Sequence, residues 1–94
     1  MTLYASDLFA AEIGEVSELD LHGMSVDEAI KAVEFFLHAE FMAGTRAVRL
    51  VHGQGSGALQ RALHVHLKTQ PLVADFRAAE SQQAITVVAL YPRL

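Results

Sequence analysis

Two short segments that contain histidine hold the residues most able to do chemistry. Asp20 and His22 lie in a Leu-Asp-Leu-His-Gly segment, and His52 opens a His-Gly-Gln-Gly-Ser-Gly segment. Residues two apart on a strand point to the same side, so Asp20 and His22 should meet. An imidazole can give or take a proton near neutral pH, and a carboxylate can orient it. We therefore predict Asp20, His22 and His52 as catalytic residues for cleavage of a phosphodiester bond.

The second segment also has the composition of a phosphate-binding loop. Gly53, Gly55 and Gly57 alternate with other residues just before a predicted helix, and Ser56 is a plausible N-cap for that helix. Such a turn can direct backbone N–H groups and a helix N-terminus at an anion. We predict Gly53, Gly55, Ser56 and Gly57 as phosphate-binding residues. The alternative is a loop that needs glycine only for its dihedral angles.

Two other site types fit the sequence less well. The spacing of Gly53, Gly55 and Ala58, with Asp75 beyond them, partly matches a dinucleotide-binding turn. In that fold the acid ends the next strand, however, whereas Asp75 falls early in its strand. One aspartate and two histidines are a thin ligand set for Mg²⁺, so we predict no cofactor and do not commit to a metal.

Alternating and helical patterns predict how these segments are positioned. Strands are expected over residues 16–21, 47–51, 73–79 and 85–90, the last nearly all apolar like a central strand. Ser25 and Glu28 form a capping box for a helix that ends at Gly44, and a second helix runs to about Gln70, before Pro71. This βαβαββ order predicts an α/β two-layer sandwich, with a mixed four-stranded sheet and two helices on one face.

Composition and length limit the remaining possibilities. The 94 residues are 52% apolar and include no cysteine, which is typical of one domain in a reducing compartment. Residues 1–16 are expected to be an N-terminal arm with about one helical turn, open to a protein partner, and residues 17–94 the domain. No stretch is long and apolar enough for a membrane span, so we expect a cytoplasmic protein without a membrane partner.

Charge is distributed unevenly along the chain. Residues 1–45 hold nine acidic residues and one lysine, whereas residues 46–94 hold six basic and two acidic residues, within a net charge of −4. A basic half suits a nucleic-acid partner, which we expect to contact Arg49, Arg61, Lys68 and Arg77 beside the glycine loop. The spacing of Arg61, His64 and Lys68 predicts one basic ridge on a helix. We expect His38, His64 and His66 to be structural or solvated.

Taken together, the quoted motifs resemble the Smr (small MutS-related) domain family. The likeness includes the Leu-Asp-Leu-His-Gly segment, the capped helix from Ser25 and the His-Gly-Gln-Gly-Ser-Gly segment, and it runs from about Glu18 to Leu90. The resemblance implies a sandwich similar to the C-terminal domain of translation initiation factor three. It also implies endonuclease activity, as DNA nicking or RNA cleavage, with Asp20, His22 and His52 at the motif positions.

Three departures from the family pattern leave a second hypothesis open. The family often has lysine at Gln54, a basic residue at Gln60, and a glycine-rich loop where this chain has only Ser-Gln-Gln at residues 81–83. The first hypothesis is a nucleic-acid-binding domain with endonuclease activity. The second is a catalytically silent module that binds nucleic acid or a protein.

Overall fold

The order of the secondary structure elements matches the predicted βαβαββ pattern and adds one helix before it. The computed structural model describes residues 3–55 and 57–94. Its elements are α1 (Ala5–Ile13), β1 (Ser17–Asp20), α2 (Val26–Met42), β2 (Ala47–Val51), α3 (Ala58–Leu67), β3 (Val73–Ala78) and β4 (Ile85–Leu90).

The four strands form one mixed sheet in the order β1-β2-β4-β3. β1 runs parallel to β2, with Asp20 opposite Val51, and β4 pairs antiparallel with both β2 and β3. The last strand is therefore central, as its apolar sequence predicted. Because β1 and β2 are parallel neighbours, the segments that follow Asp20 and Val51 leave the sheet at the same edge.

α2 and α3 cover one face of the sheet and form the main core with it. The predicted capping box begins α2: the Glu28 N–H donates to the Ser25 hydroxyl, and the Ser25 N–H donates to the Glu28 carboxylate. The core combines both helices with alternate residues of the strands. Its fully buried large side chains include Leu21, Val33, Leu37, Val48, Leu50, Leu63, Leu67, Val88 and Leu90.

The N-terminal arm is more ordered than the sequence predicted. Instead of about one turn it forms the nine-residue helix α1, which packs on the other face of the sheet. Leu8 and Ala11 of α1 are buried in a second cluster against small residues of the strands and Val87. The two-layer description therefore holds for the segment from β1 to β4, and α1 adds a partial third layer. Among the described residues, no helix is both long enough and apolar enough to cross a membrane.

Candidate functional site

Asp20 and His22 form an exposed, hydrogen-bonded pair where β1 ends. The Asp20 carboxylate accepts from the ring Nδ1 of His22 at 2.8 Å and from its backbone N–H at 3.1 Å. The two side chains are 56% and 73% exposed. Hydrogen bonding and charge attraction from Asp20 raise the pKa of His22, and the same bonds lower the pKa of Asp20. Since Nδ1 is engaged with Asp20, Nε2 is the ring nitrogen that can act on a bound ligand.

The glycine loop begins directly against His22. Gly53 has φ 80°, and a Cβ built on it would lie 3.1 Å from the His22 Cβ. Gly55 and Gly57 also have positive φ angles, of 141° and 81°. Larger residues rarely adopt such angles, so glycine is required both for the loop conformation and for its approach to His22. The structure thus joins the two predicted motifs at one edge of the sheet.

The start of α3 differs in one detail from the prediction. Its N-cap is Gly57, in the left-handed conformation and without a side-chain cap bond, rather than Ser56. Ser56, predicted to bind phosphate, lies outside the described residues. The N-terminus of α3 therefore lies directly at the end of the glycine loop, and a helix N-terminus is a place where backbone N–H groups can bind an anion.

A small cleft of about 210 Å³ lies beside the glycine loop. It is lined by Gly23, Met24, His52, Gly53, Gln54, Gly57, Ala58, Leu59 and Gln60. A second cleft, of about 80 Å³, lies along the loop toward Gln83. None of these described lining residues is a carboxylate, lysine or arginine, so the walls offer backbone groups and glutamine amides. An anion would be held here by hydrogen bonds more than by opposite charge.

A larger cleft, of about 470 Å³, lies between α1 and β3. Its lining includes the apolar residues Leu8 and Phe9 of α1 and, on the strand side, Asp75, Phe76, Arg77 and Glu80. It contains no histidine, and its arginine is paired with a carboxylate of α1. The smaller cleft, with the Asp20 and His22 pair beside it, is therefore the better candidate site.

His52 is buried, unlike His22. It is 5% exposed, its Nδ1 lies 3.0 Å from the Gly53 carbonyl oxygen, and its Nε2 lies 3.0 Å from the Thr86 hydroxyl. Because both ring nitrogens are engaged within the protein, His52 supports the loop rather than presenting a nitrogen to the cleft. Its catalytic role stays a prediction.

His64 has a structural position, which is one of the two expected, but it does not join Arg61 and Lys68 in the predicted basic ridge because it turns toward the sheet. Its Nε2 lies 2.8 Å from the Thr86 hydroxyl, on the same oxygen that contacts His52. Its ring packs edge-on against Phe76, with the centroids 5.1 Å apart. Desolvation, followed by the nearby His52 and Lys68, lowers the pKa of His64. Helical spacing could not reveal this contact, because it depends on which β4 residue lies beneath α3.

The four predicted basic residues do not gather beside the glycine loop. Arg49 pairs with Glu18 and donates to backbone carbonyls at the end of α1, and Arg77 pairs with Glu12 at 2.6 Å. Both side chains therefore lie on the face of the sheet that α1 covers. Lys68 lies at the C-terminal end of α3. Arg61 does border the loop, since its Nη1 would lie 3.0 Å from a Cβ at Gly57.

No three histidine, aspartate or glutamate side chains converge as metal ligands within residues 3–55 and 57–94. Asp20 and His22 contact each other, but His52 is held inside by Thr86 and Gly53. The described site thus combines a hydrogen-bonded aspartate–histidine pair, which has the chemistry for proton transfer, with an adjacent glycine loop.

Comparison with known proteins agrees with the resemblance of the motifs. The Smr domain family model matches residues 19–90. Endonuclease MutS2 of Ruminiclostridium cellulolyticum is 42% identical over 77 residues, covering 79% of this chain and 10% of that protein. Endonuclease MutS2 of Thermus thermophilus is 39% identical over 88 residues, covering 90% of this chain and 12% of that protein. The chain thus spans about a tenth of the length of these curated relatives.

Solved structures give the same result for the fold. The crystal structure of the Smr domain of Thermus thermophilus MutS2 superposes with a TM-score of 0.79 at 39% identity, covering 82% of this chain and 100% of that one. YdaL, a stand-alone small MutS-related protein from Escherichia coli, superposes with a TM-score of 0.77 at 23% identity, covering 95% and 77%, and shows the fold alone. With its motifs, its fold and residues 19–90 all matching, the chain belongs to the Smr domain family.

Proposed function

We propose that this Smr domain binds nucleic acid at the glycine loop and cleaves its phosphodiester bonds, with Asp20 and His22 as the proton-transfer pair. The observation that carries the proposal is the placement of an exposed, carboxylate-oriented imidazole directly against Gly53. Two of the relatives that match the chain are named endonucleases, which supports the same reaction class.

The loop and the pair have separate tasks in this mechanism. Backbone N–H groups of the loop after Gly53 bind a phosphate oxygen, since the N–H of Gly53 itself donates to the Ala84 carbonyl, and Arg61 lies beside the loop. The raised pKa of His22 keeps a larger protonated fraction near neutral pH. Protonated His22 donates its Nε2 proton to the leaving oxygen as the bond from phosphorus to that oxygen breaks. A water oxygen takes its place and releases a proton to solvent, while Asp20 stabilises the imidazolium.

A second function, binding without cleavage, has its own support. The buried His52 leaves a single exposed histidine at the described site, and Arg49 and Arg77 are occupied by carboxylates. A partner of such a silent module would be nucleic acid or a protein. Phe9 and Ile13 on the outer side of α1 are 57% and 66% exposed and would be the contact for a protein.

The test compares cleavage and binding in matched variants. Purified protein is incubated with supercoiled plasmid and with structured RNA, with and without chelator, and binding is measured in parallel. His22→Ala should lower the cleavage rate by about 10²–10⁴-fold and leave binding nearly intact. His38→Ala, which removes an exposed histidine of α2, should change neither.

Each other outcome has a definite meaning. If His22→Ala cleaves as fast as the parent protein, the activity does not arise from this pair, and the mechanism is wrong. If the parent protein binds but never cleaves, the silent module is the function.

A further inference from the structure

Thr86 joins two histidines from different elements into one hydrogen-bonded chain beneath α3. Its hydroxyl, on the central strand β4, lies 2.8 Å from His64 Nε2 and 3.0 Å from His52 Nε2. Thr86 is 0% exposed and His52 is 5% exposed. This series of hydrogen bonds ends at the Gly53 carbonyl oxygen, 3.0 Å from His52 Nδ1, where the glycine loop begins.

The partners in this chain determine where its protons lie. A carbonyl oxygen only accepts, so His52 Nδ1 must carry the proton that bonds to Gly53. In neutral His52 the Nε2 atom is then an acceptor, and the Thr86 hydroxyl must donate to it. The hydroxyl has one proton, so it can bond to His64 only by accepting from Nε2–H. Every donor in the chain therefore points from His64 through Thr86 and His52 to Gly53.

We propose that His64 and Thr86 are positioning residues that hold the glycine loop by fixing the tautomer of His52. Neither residue contacts the cleft. They act because His64 orients the Thr86 proton toward His52, which forces His52 to present Nδ1–H to the Gly53 carbonyl.

The position of Gly53 explains why the tautomer of His52 affects the candidate site. Its backbone N–H and that of His52 both donate to the Ala84 carbonyl, at 3.2 and 2.9 Å. Its Cα lies against His22, where an added Cβ would be 3.1 Å from the His22 Cβ. If His52 changed tautomer, Nδ1 would become an acceptor facing a carbonyl oxygen, and the peptide after Gly53 would be pushed away. The following loop amides would then lose the orientation that phosphate binding requires.

The first measurement tests the tautomer in the free protein and needs no nucleic acid. Ring ¹⁵N spectra of the whole chain should show His52 with a protonated Nδ1 and an unprotonated Nε2. Thr86→Val keeps the shape of the side chain and removes the hydroxyl, so His52 should become a mixture of tautomers and the amide signals of Gly53 and Gly55 should move. Thr86→Ser, which keeps the hydroxyl, should retain the single tautomer. His64→Leu should partly reproduce Thr86→Val, and His64→Gln, whose amide can donate to Thr86, should restore the parent spectrum.

The second measurement rests on the proposed function and uses a short single-stranded oligonucleotide as the probe. Its affinity should fall about ten-fold in Thr86→Val and stay within about two-fold in Thr86→Ser, as expected for loss of one buried hydrogen bond.

Retention of the single Nδ1–H tautomer in folded Thr86→Val overturns the inference. So does unchanged oligonucleotide affinity when the tautomer has changed. If Thr86→Val does not fold, the His64→Leu and His64→Gln pair decides by the same spectra. A parent protein that shows the fixed tautomer but binds no oligonucleotide refutes the proposed function and leaves the tautomer assignment standing.

Discussion

Gly53 and His22 are in such close contact that a Cβ on Gly53 would lie 3.1 Å from the Cβ of His22. The contact joins the loop that follows β2 to the turn that follows β1. It exists because β1 and β2 are parallel neighbours, with Asp20 opposite Val51. The chemistry of the site therefore depends on a backbone position that only glycine can occupy.

Gly53→Ala should combine backbone strain with displacement of His22. A residue other than glycine at positive φ costs about 1–2 kcal/mol, which urea unfolding should detect. Gly44→Ala is the matched control, since Gly44 has φ 83° but no atom within 4 Å of its added Cβ. Both variants should lose stability, but only Gly53→Ala should shift the ring signals of His22. Unshifted His22 signals in Gly53→Ala would show that the loop can move aside.

Asp20→Asn should lower the pKa of His22 toward its ordinary value of about 6.5. The carboxylate of Asp20 raises that pKa. The pair therefore stabilises the fold at pH values above the pKa that Asp20 has in the unfolded protein. This stabilisation is lost as pH rises through the pKa that His22 has in the folded protein. The Tm difference between parent and Asp20→Asn should therefore disappear at alkaline pH. If protonated His22 is the acid, the alkaline limb of the cleavage profile should also move to lower pH. A His22 titration unaffected by Asp20→Asn would mean that the pair does not form in solution.

Glu12→Gln should destabilise the protein at neutral pH and have no effect in strong acid. Hydrogen bonding to Arg77, with a further contribution from the Ser81 N–H, lowers the pKa of Glu12 from 4.5 to about 2. Stability from this depressed pKa is present above 4.5 and is lost as pH falls toward 2. The Tm gap between parent and variant, measured by circular dichroism, should close across that interval. A gap that is independent of pH would point to packing instead of charge.

His52→Ala should lower the free energy of unfolding by about 2–3 kcal/mol, because it opens a cavity and removes the hydrogen bonds to the Gly53 carbonyl and the Thr86 hydroxyl. His22→Ala should cost much less, since the His22 side chain is 73% exposed and only its exposed pair with Asp20 is lost. Chemical denaturation of the two variants makes the comparison. Equal stability of both would contradict the buried, doubly bonded position of His52.

Arg61→Gln should weaken nucleic-acid binding and reduce its dependence on salt. Loss of one phosphate contact lowers the slope of log affinity against log salt by about 0.9. Arg93→Gln removes the same charge at the other end of the fold, where Arg93 donates to the Met42 carbonyl at the end of α2. It should leave the slope unchanged. Equal slopes for both variants would place the nucleic acid elsewhere.

Local patterns in the sequence were enough to predict most of the fold. The capping box at Ser25 and the apolar run from Ile85 to Leu90 each act through near neighbours or burial alone. Asp20 and His22 also pair as predicted, although β1 ends at Asp20 and His22 lies in the turn that follows rather than on the same strand. These features require no knowledge of which elements meet.

Features that depend on contacts between distant elements were not predictable. The spacing of His64 is equally suited to a solvated ridge, and only the packing of α3 over Thr86 turns it inward. Arg49 and Arg77 were expected at the loop because of their charge, but alternate β2 and β3 residues face α1, where Glu18 and Glu12 bind them. α1 itself packs against alanines, whose small side chains give a weak hydrophobic pattern.

The position of α1 means that the segment matched by the family model and the segment that folds are not the same length. The family match starts at residue 19, after α1 has ended. Yet the Glu12 carboxylate accepts a hydrogen bond from the Ser81 N–H, in the turn that leads to Ala84. The Ala84 carbonyl in turn accepts hydrogen bonds from the backbone N–H groups of His52 and Gly53. A protein trimmed to residues 19–90 would uncover the back of the sheet and release that turn. Boundaries taken from the family model alone would therefore remove a helix that supports the fold.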